Sequence, residues 1–206
     1  SRGMATSWPS AATRLLPGAA GASAGSRFAP ASSRMVGTIS MRGDTVQPVI
    51  DCVRVLGFNI APDDAYLALR GMRTLSVRLK RHEKNALKVA EWLAEQPEID
   101  RVLHPALPSC PGHEIWKRDF TGSNGLFGVV FKPASEAAMA AFIDGLELFA
   151  LGGSWGGYES LVLPTNVTRT VTKWSENAQS IRFHIGLEDP DDLIEDIEAG
   201  LKRLTK

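Results

Sequence analysis

One candidate for binding an anion is Arg182, which lies on the polar side of a run of alternating residues at 180–185. In this run Ile181, Phe183 and Ile185 alternate with Ser180, Arg182 and His184. This is the pattern of a β-strand with one buried face. A guanidinium is a planar fork that holds a carboxylate or phosphate through two parallel hydrogen bonds. The alternative is an arginine on a solvated sheet face, and the pattern does not say which face is covered.

A second candidate is the glycine-rich run at 152–160, whose sequence is GGSWGGYES. Four glycines around Ser154 and Trp155 let the backbone turn sharply and approach a ligand closely. A serine hydroxyl, main-chain N–H groups and an indole ring could together bind an anion next to an aromatic surface. The order of residues does not match a GxSxG nucleophile elbow. The alternative is a tight loop whose Trp155 fills the core.

Two histidines could also take part in chemistry. His113 and Glu114 are adjacent in the run HEIWKRDF, but position 117 is lysine, so the zinc motif HExxH is absent and no third ligand lies nearby. We therefore predict a surface helix with its own ion pairs and no metal site. His184 lies on the same predicted strand as Arg182. It is expected to pack or to hydrogen-bond rather than to transfer a proton directly.

The hydrophobic periodicity predicts the elements that carry these residues. Capping residues add support, because Ser135 and Asp189 are good N-caps and Pro190 suits a first helical position. The predicted elements are strands at 35–41, 99–103, 126–132, 148–151, 161–163 and 180–185, and helices at 44–57, 63–70, 74–96, 113–119, 135–146 and from 189 onward. Short strands mixed with helices indicate an α+β fold, in which helices cover one side of a sheet and a long connecting helix precedes it.

The composition narrows the class of partner and the compartment. The 23 basic and 23 acidic residues balance, which argues against nucleic acid or an anionic membrane as an obligatory partner. No apolar run approaches the roughly 18 residues needed to span a bilayer. The two cysteines, Cys52 and Cys110, form no CxxC pair. A reducing compartment, the cytoplasm, therefore fits best.

Residues 1–34 differ from the rest, since they contain four arginines, no acid and mostly Ala, Ser, Gly and Pro. A segment so poor in large apolar side chains is expected to be disordered or foreign to the domain that follows. An organellar transit peptide is an alternative and would change the predicted location. Two other interpretations of residues 1–34 are a flexible tail and an unrelated stretch joined to a shortened gene.

Four long runs carry a resemblance to a known family. RGMRTLSVRLKRH, GHEIWKRDFTGSNGLF, SWGGYESLVLP and SIRFHIGLEDPDDLIEDIEAGL together resemble the Cys/Met-metabolism family of pyridoxal-phosphate enzymes. The resemblance extends from about Met35 to Leu204. WKRDFTGSNGLF and SWGGYES are similar to the cystathionine β-lyase branch, rather than to the γ-synthase or γ-lyase branches.

The resemblance implies the C-terminal small domain of a fold-type I, aminotransferase-like subunit that is usually a homotetramer. It implies pyridoxal 5′-phosphate as cofactor and an α,β-elimination in methionine biosynthesis, in which cystathionine gives homocysteine, pyruvate and ammonia. Carried over by motif, Arg182 would bind the α-carboxylate of an amino-acid substrate, with Ser154 and Trp155 helping at the same group. Residues 35–73 would be a remnant of the large cofactor domain and a linker, and residues 74–206 the substrate-recognition domain.

One departure from the family affects the expected activity. The family's Schiff-base lysine lies in a motif like S-x-T-K-Y shortly before the segment that matches Met35–Met41, whereas this sequence has Ala31-Ser32-Ser33-Arg34 there. The first lysine is Lys80. A lysine amine is needed to form the aldimine and to move the proton from Cα. We therefore expect a truncated lyase without a catalytic residue or cofactor-binding groups, inactive alone. The alternatives are a non-catalytic domain that docks on an intact relative and a γ-synthase or γ-lyase fragment.

Overall fold

The structure is a computed structural model that describes residues 12–17, 36–41, 43–165, 170–171 and 179–204. Its contacts divide the chain into two compact units, one up to Thr74 and one from Leu75 onward. None of the described helices combines the length and the apolarity needed to cross a bilayer. The predicted division at 1–34, 35–73 and 74–206 stays a prediction.

In the first unit, two strands form a small antiparallel sheet. Strand β1 (Ala12–Pro17) pairs with β2 (Val36–Met41), so six residues of the segment predicted to be disordered or foreign form a strand. Its other residues lie outside the described part. A 3-10 turn (Gly43–Thr45) leads into α1 (Val46–Val55), and α2 (Pro62–Arg73) follows.

Helix α2 continues past Gly71, where the prediction ended it. Glycine ends a helix when it takes the left-handed conformation, and Gly71 is not among the glycines with positive φ. The helix ends instead at Thr74, whose backbone N–H and hydroxyl both bond to the carbonyl oxygen of Gly71.

The second unit is an α+β domain built on one five-stranded sheet. Its elements are α3 (Leu75–Ala94), β3 (Ile99–Leu103), α4 (His113–Asp119), β4 (Leu126–Phe131), α5 (Glu136–Asp144), β5 (Ala150–Leu151), β6 (Leu161–Thr165), β7 (Ser180–His184) and α6 (Pro190–Leu204). The strand order is β3-β4-β7-β6-β5. Only the β5–β6 pair is parallel, so this sheet is mixed. The predicted fold class is confirmed.

The core lies on one face of this sheet. Phe183 of β7 stands opposite Phe127 of β4 and Val162 of β6, and all three are buried. Helices α3, α5 and α6 contribute to the same cluster through Leu93, Phe142, Ile197 and their neighbours. As predicted, Leu193, Ile197 and Leu201 are buried on α6. Because side chains alternate along a strand, the other face of β7 carries Arg182 and His184.

The apolar stripe predicted for the long helix is only partly buried. Ala86, Val89 and Leu93 are in the core, but Leu75 and Leu79 at the other end of α3 are exposed. The stripe predicts which side chains share one face of the helix, but it does not predict how far along the helix that face is covered. The covering sheet and helix α6 reach only the later turns.

Candidate functional site

Arg182 is the centre of the candidate site and lies in the middle of the sheet. Its neighbours across the sheet are Gly128 of β4 and Leu163 of β6. Gly128 has no side chain, and a Cβ there would lie 3.6 Å from the side chain of Leu103. The guanidinium Nη2 donates to the carbonyl oxygens of Gly152 and Ser154, each at 3.2 Å. The glycine-rich run therefore covers part of the sheet face from which Arg182 projects.

The guanidinium retains capacity to bind an anion. Its Nε is buried and has no hydrogen-bond acceptor among the described residues. In the same part of the chain, no carboxylate forms an ion pair with Arg182. A buried donor without an acceptor is costly. A carboxylate at Nε would supply the missing acceptor and the opposite charge.

The glycine-rich run forms an exposed turn between β5 and β6. Gly156 has φ +80°, a left-handed conformation that favours glycine. Gly152 packs close to Leu161, where a Cβ would be 3.1 Å from Cδ2. The Trp155 side chain is 60% exposed, so it does not fill the core. Ser154 is also exposed, and both side chains are accessible to a ligand.

The far end of the turn is held by buried hydrogen bonds. Ser160 is 1% exposed, and its hydroxyl donates to Glu188 Oε2 (2.8 Å) and accepts from the backbone N–H of Gly186 (2.8 Å). The backbone N–H of Ser160 donates to Glu188 Oε1 (2.7 Å). The chain after β7 also reaches the turn through Leu187, whose N–H donates to the carbonyl of Tyr158.

Helix α3 fixes the same region from another side. Arg78 Nη1 donates to the carbonyl oxygen of Gly156 at 2.8 Å. His82 Nδ1 donates to the carbonyl of Ile185 (2.7 Å). The Asn85 amide donates to the carbonyls of Gly186 (3.2 Å) and Glu188 (2.9 Å). Buried polar side chains on this helix therefore tie it to the segment that follows β7.

His184 lies next to the turn, on the same face of β7 as Arg182. It is 2% exposed, and its Nε2 is 3.1 Å from the backbone nitrogen of Gly156. Burial lowers the pKa of His184, and His82 and Arg182 lower it further, whereas the Gly157 carbonyl and Glu188 act in the opposite direction. As predicted, this histidine packs and hydrogen-bonds.

The predicted helix at 113–119 is confirmed and lies apart from this turn. His113 Nδ1 bonds to the carbonyl oxygen of Pro105 (2.9 Å). Arg118 pairs with its neighbour Asp119 through two hydrogen bonds of 2.7 and 2.8 Å, and not with Glu114 one turn away. Within the described ranges, no group of three metal-ligating side chains is close enough to hold an ion.

The structure brings Arg182 together with Ser154 through the Ser154 carbonyl rather than its hydroxyl, and the carboxylate-binding role of Arg182, Ser154 and Trp155 stays a prediction. The predictions missed the supporting residues Ser160 and Glu188, and Arg78, His82 and Asn85 on α3. Asn85 lies beside Ala86 on the buried and mostly apolar side of α3, which also carries His82. A buried amide needs polar partners, and this was the available signal.

Comparisons with known proteins match the chain to one enzyme family. The model of the family described as "Cys/Met metabolism PLP-dependent enzyme" matches residues 28–202. Cystathionine beta-lyase MetC of Escherichia coli (strain K12) is 45% identical over 179 residues, which are 84% of this chain and 45% of that protein. A putative cystathionine beta-lyase of Rhizobium johnstonii is 46% identical over 174 residues, 82% of this chain and 44% of that protein.

A solved structure agrees with these matches. The crystal structure of cystathionine gamma synthase from Xanthomonas oryzae pv. oryzae in complex with cystathionine superposes with a TM-score of 0.74. Its sequence identity is 32%, and the match covers 84% of this chain and 46% of that one. The chain therefore spans less than half the length of the relatives that it matches. The family match also includes residues 28–34, which belong to the segment predicted to be foreign.

Proposed function

This chain belongs to the Cys/Met metabolism PLP-dependent enzyme family, and from that premise we propose that it forms the substrate-recognition part of a carbon–sulfur lyase that cleaves cystathionine. The relatives named above as cystathionine beta-lyases support this substrate and an α,β-elimination. The observation that carries the proposal is the Arg182 guanidinium, which is unpaired with any described carboxylate and has a buried Nε–H without an acceptor.

The proposed role of these residues is to bind and orient the amino acid. The Arg182 guanidinium binds the α-carboxylate through its Nε–H and through one Nη2–H, which exchanges its carbonyl partner for the ligand, while the remaining bond to the turn keeps the group from rotating. The exposed Ser154 hydroxyl and the Trp155 indole lie on the same turn and would contact the bound group. Such a buried arginine–carboxylate pair is worth about 2–5 kcal/mol by truncation.

Pyridoxal phosphate is the cofactor of this family, but the described residues around Arg182 do not fit the cofactor itself. The hydrogen bonds that the structure describes around Arg182 come from arginine, histidine, serine, glutamate and backbone groups, and none of these involves a lysine. The sequence has no lysine before Lys80. We propose that residues 1–206 by themselves bind the amino acid's carboxylate and do not carry out elimination.

The test is the affinity of the chain for L-cystathionine, measured by isothermal titration calorimetry. Arg182→Ala should weaken binding by about 2–5 kcal/mol, and the diamide of cystathionine, whose carboxylates are replaced by uncharged carboxamides, should bind poorly to the unchanged chain. Arg101→Ala is the matched control, because Arg101 is an arginine of the same sheet whose guanidinium pairs with Asp100. Equal affinity of the Arg182 variant and the control would refute the assigned role.

A separate measurement tests the proposed lack of activity. Pyridoxal phosphate added to the chain should give no internal-aldimine absorbance band, and borohydride should add no cofactor mass to a lysine. A band that borohydride removes, with the mass gained on one lysine, would overturn this part of the proposal. Pyruvate release from cystathionine would overturn it as well.

A second candidate function is a non-catalytic domain that docks on an intact relative. It is favoured by the exposed apolar side chains at the start of α3, where Val77 is 71% exposed and Leu75 and Leu79 are also exposed. A cluster of exposed apolar side chains on one part of a helix indicates a protein–protein interface. The test is co-purification with a full-length relative, which Val77→Glu should prevent. A lone monomer in its presence would exclude this function.

Assembly and location also remain proposals. The family resemblance suggests a homotetramer for the complete enzyme, and analytical ultracentrifugation of this chain would show how much of that assembly it retains. The free cysteines Cys52 and Cys110 are consistent with our proposal of a cytoplasmic location. The alternative is an organelle, if residues 1–34 act as a transit peptide.

A further inference from the structure

His184 and Arg182 are two residues apart on β7, so their side chains project from the same face of the sheet. Both contact the turn that follows β5. Arg182 bonds to the carbonyls of Gly152 and Ser154, and His184 contacts Gly156, two residues further along. One strand therefore holds both the proposed carboxylate-binding group and a histidine that touches the next part of the same turn.

The contact with Gly156 requires a particular protonation state. A backbone N–H can only donate, so the Gly156 N–H needs a ring nitrogen with a free lone pair; Nε2 is the nearer one at 3.1 Å, and Nδ1 lies at 3.5 Å. Nδ1 then carries the ring proton. The Gly157 carbonyl lies further away, at 3.4 Å from Nε2. When both ring nitrogens are protonated, Nε2 would turn its hydrogen toward that carbonyl, and the ring would offer the Gly156 N–H no acceptor.

We propose that neutral His184 is a positioning residue, which holds the Ser154–Gly157 part of the turn on Arg182 by accepting the Gly156 N–H bond. This inference rests on the function proposed for Arg182. When His184 is neutral, the turn is held at Gly156 from both sides, because Arg78 bonds to the carbonyl oxygen of the same residue. When His184 is protonated, its bond to the Gly156 N–H is lost. The turn is then no longer held in position over the Arg182 guanidinium.

The charged groups around His184 favour the neutral form. His82 of α3 faces it with ring centroids 5.1 Å apart, and Arg182 on its own strand is a permanent cation. Arg78 of α3 lies on the other side of Gly156. Among the described residues, the Glu188 carboxylate after β7 acts in the opposite direction and raises the pKa of His184, but its oxygens are bonded to Ser160.

The ring also has little freedom to move away from the turn. It is nearly fully buried, and a Cβ at Gly125 of the neighbouring loop would lie 3.0 Å from its Nδ1. His82, on the other side, is itself bonded to the carbonyl of Ile185. A ring held between fixed neighbours can place an acceptor accurately, which is what a positioning role requires.

The experiment measures L-cystathionine affinity against pH for the unchanged chain and two variants. In His184→Gln the side-chain amide oxygen can take the place of Nε2 and does not titrate. In His184→Leu no acceptor remains. We expect the unchanged chain to lose affinity as the pH falls below 6.5, the ordinary pKa of histidine. The Gln variant should keep its affinity and lose this dependence, and the Leu variant should bind about tenfold more weakly at neutral pH.

Hydrogen exchange of the Gly156 amide gives a readout that needs no ligand. Its protection, corrected for the intrinsic effect of pH, should fall in the Leu variant, persist in the Gln variant, and decrease with pH only in the unchanged chain. Urea unfolding of each variant establishes that it is folded. If the Leu variant does not fold, the pH dependence of the unchanged chain and of the Gln variant still decides the question.

The outcomes separate this inference from the proposed function. If Arg182→Ala abolishes binding while both His184 variants keep the affinity and pH profile of the unchanged chain, the positioning role is wrong and the carboxylate role stands. If affinity rises as the pH falls, charge rather than alignment dominates and the positioning role is wrong. If the unchanged chain does not bind L-cystathionine at any pH, both proposals fail.

Discussion

The guanidinium of Arg182 donates to the carbonyl oxygen of Ser154 across 3.2 Å, although the two residues are 28 positions apart in the sequence. Since a second bond reaches Gly152 from the same Nη2, one side of the fork is engaged with the backbone. The Nε–H on its inner edge is left without an acceptor in the described residues. This arrangement orients a positive charge without neutralising it, which suits a group that binds an anion.

Arg182→Lys tests whether the fork matters beyond its charge. A lysine keeps the cation but lacks the planar fork, so it cannot bond to a carbonyl of the turn and at the same time hold a carboxylate by two parallel bonds. We expect affinity for L-cystathionine to fall about tenfold or more, measured by calorimetry at neutral pH. Arg101→Lys in the same sheet is the control. Affinity unchanged in the Arg182 variant would mean that charge alone is sufficient.

Ser160→Ala should destabilise the second unit. The substitution leaves the backbone N–H of Gly186 without its acceptor and Glu188 Oε2 without a donor. The position is buried, since Ser160 is only 1% exposed. An unsatisfied buried group costs about 1–3 kcal/mol, which urea unfolding would detect. Ser154→Ala, on the exposed part of the same turn, should change the free energy of unfolding by less than about 0.5 kcal/mol. Equal effects of the two substitutions would contradict this account.

Gly125→Ala should disturb the packing beside His184. A Cβ there would overlap the carbonyl oxygen of Ile185 and touch the His184 ring, and the backbone of Ile185 is bonded to Gly125 itself. We expect a loss of about 1–3 kcal/mol in the free energy of unfolding. Gly153→Ala is the matched control, because nothing lies within 4 Å of its Cβ. The idea fails if Gly125→Ala is as stable as the control.

The free energy of unfolding should fall as the solution becomes acidic. Burial is the first cause that lowers the pKa of His104 and of His184 from 6.5. The unfolded chain binds protons at these histidines below pH 6.5 while the folded chain does not, so stability is fully present above that pH. It declines down to the folded-state pKa values, by at most about 1.4 kcal/mol per pH unit for each histidine.

His104→Asn isolates one contribution to this pH dependence. Asparagine can keep an acceptor for the N–H of Ala106, which now bonds to His104 Nδ1 at 3.2 Å, and it does not titrate. Urea unfolding followed across pH 4 to 8 should show a shallower decline for this variant than for the unchanged chain. A decline of the same steepness would remove His104 from the explanation.

Many local elements could be predicted because their signals lie within a few residues. Ser135 caps α5, as its side chain accepts from the N–H of Ala138 at 3.1 Å. Asp189 and Pro190 begin α6 in the predicted positions, and the alternation at 180–185 became β7. Capping, proline geometry and periodicity are short-range effects.

The limits of elements and the extent of burial were harder to predict. Gly71 did not end α2, and Leu75 and Leu79 are exposed although they continue an apolar stripe. Strand β6 runs to Thr165, where the prediction ended it at 163, and Thr165 is bonded to Ser180 of β7. The end of α2 depends on the local bonds from Thr74 to Gly71, whereas the other two differences depend on elements that are distant in sequence, which no periodic pattern describes.

By itself, then, the amino-acid order determined the α+β class, the strand that carries Arg182, the glycine-rich run and the family resemblance. Only the tertiary structure decided that this run covers Arg182, that Trp155 is exposed and that Ser160, Glu188, His82 and Asn85 support the turn. The physical reason is that these hydrogen bonds join residues between 28 and 103 positions apart. Such pairs form only when strands and helices that are remote in the chain pack on a common sheet.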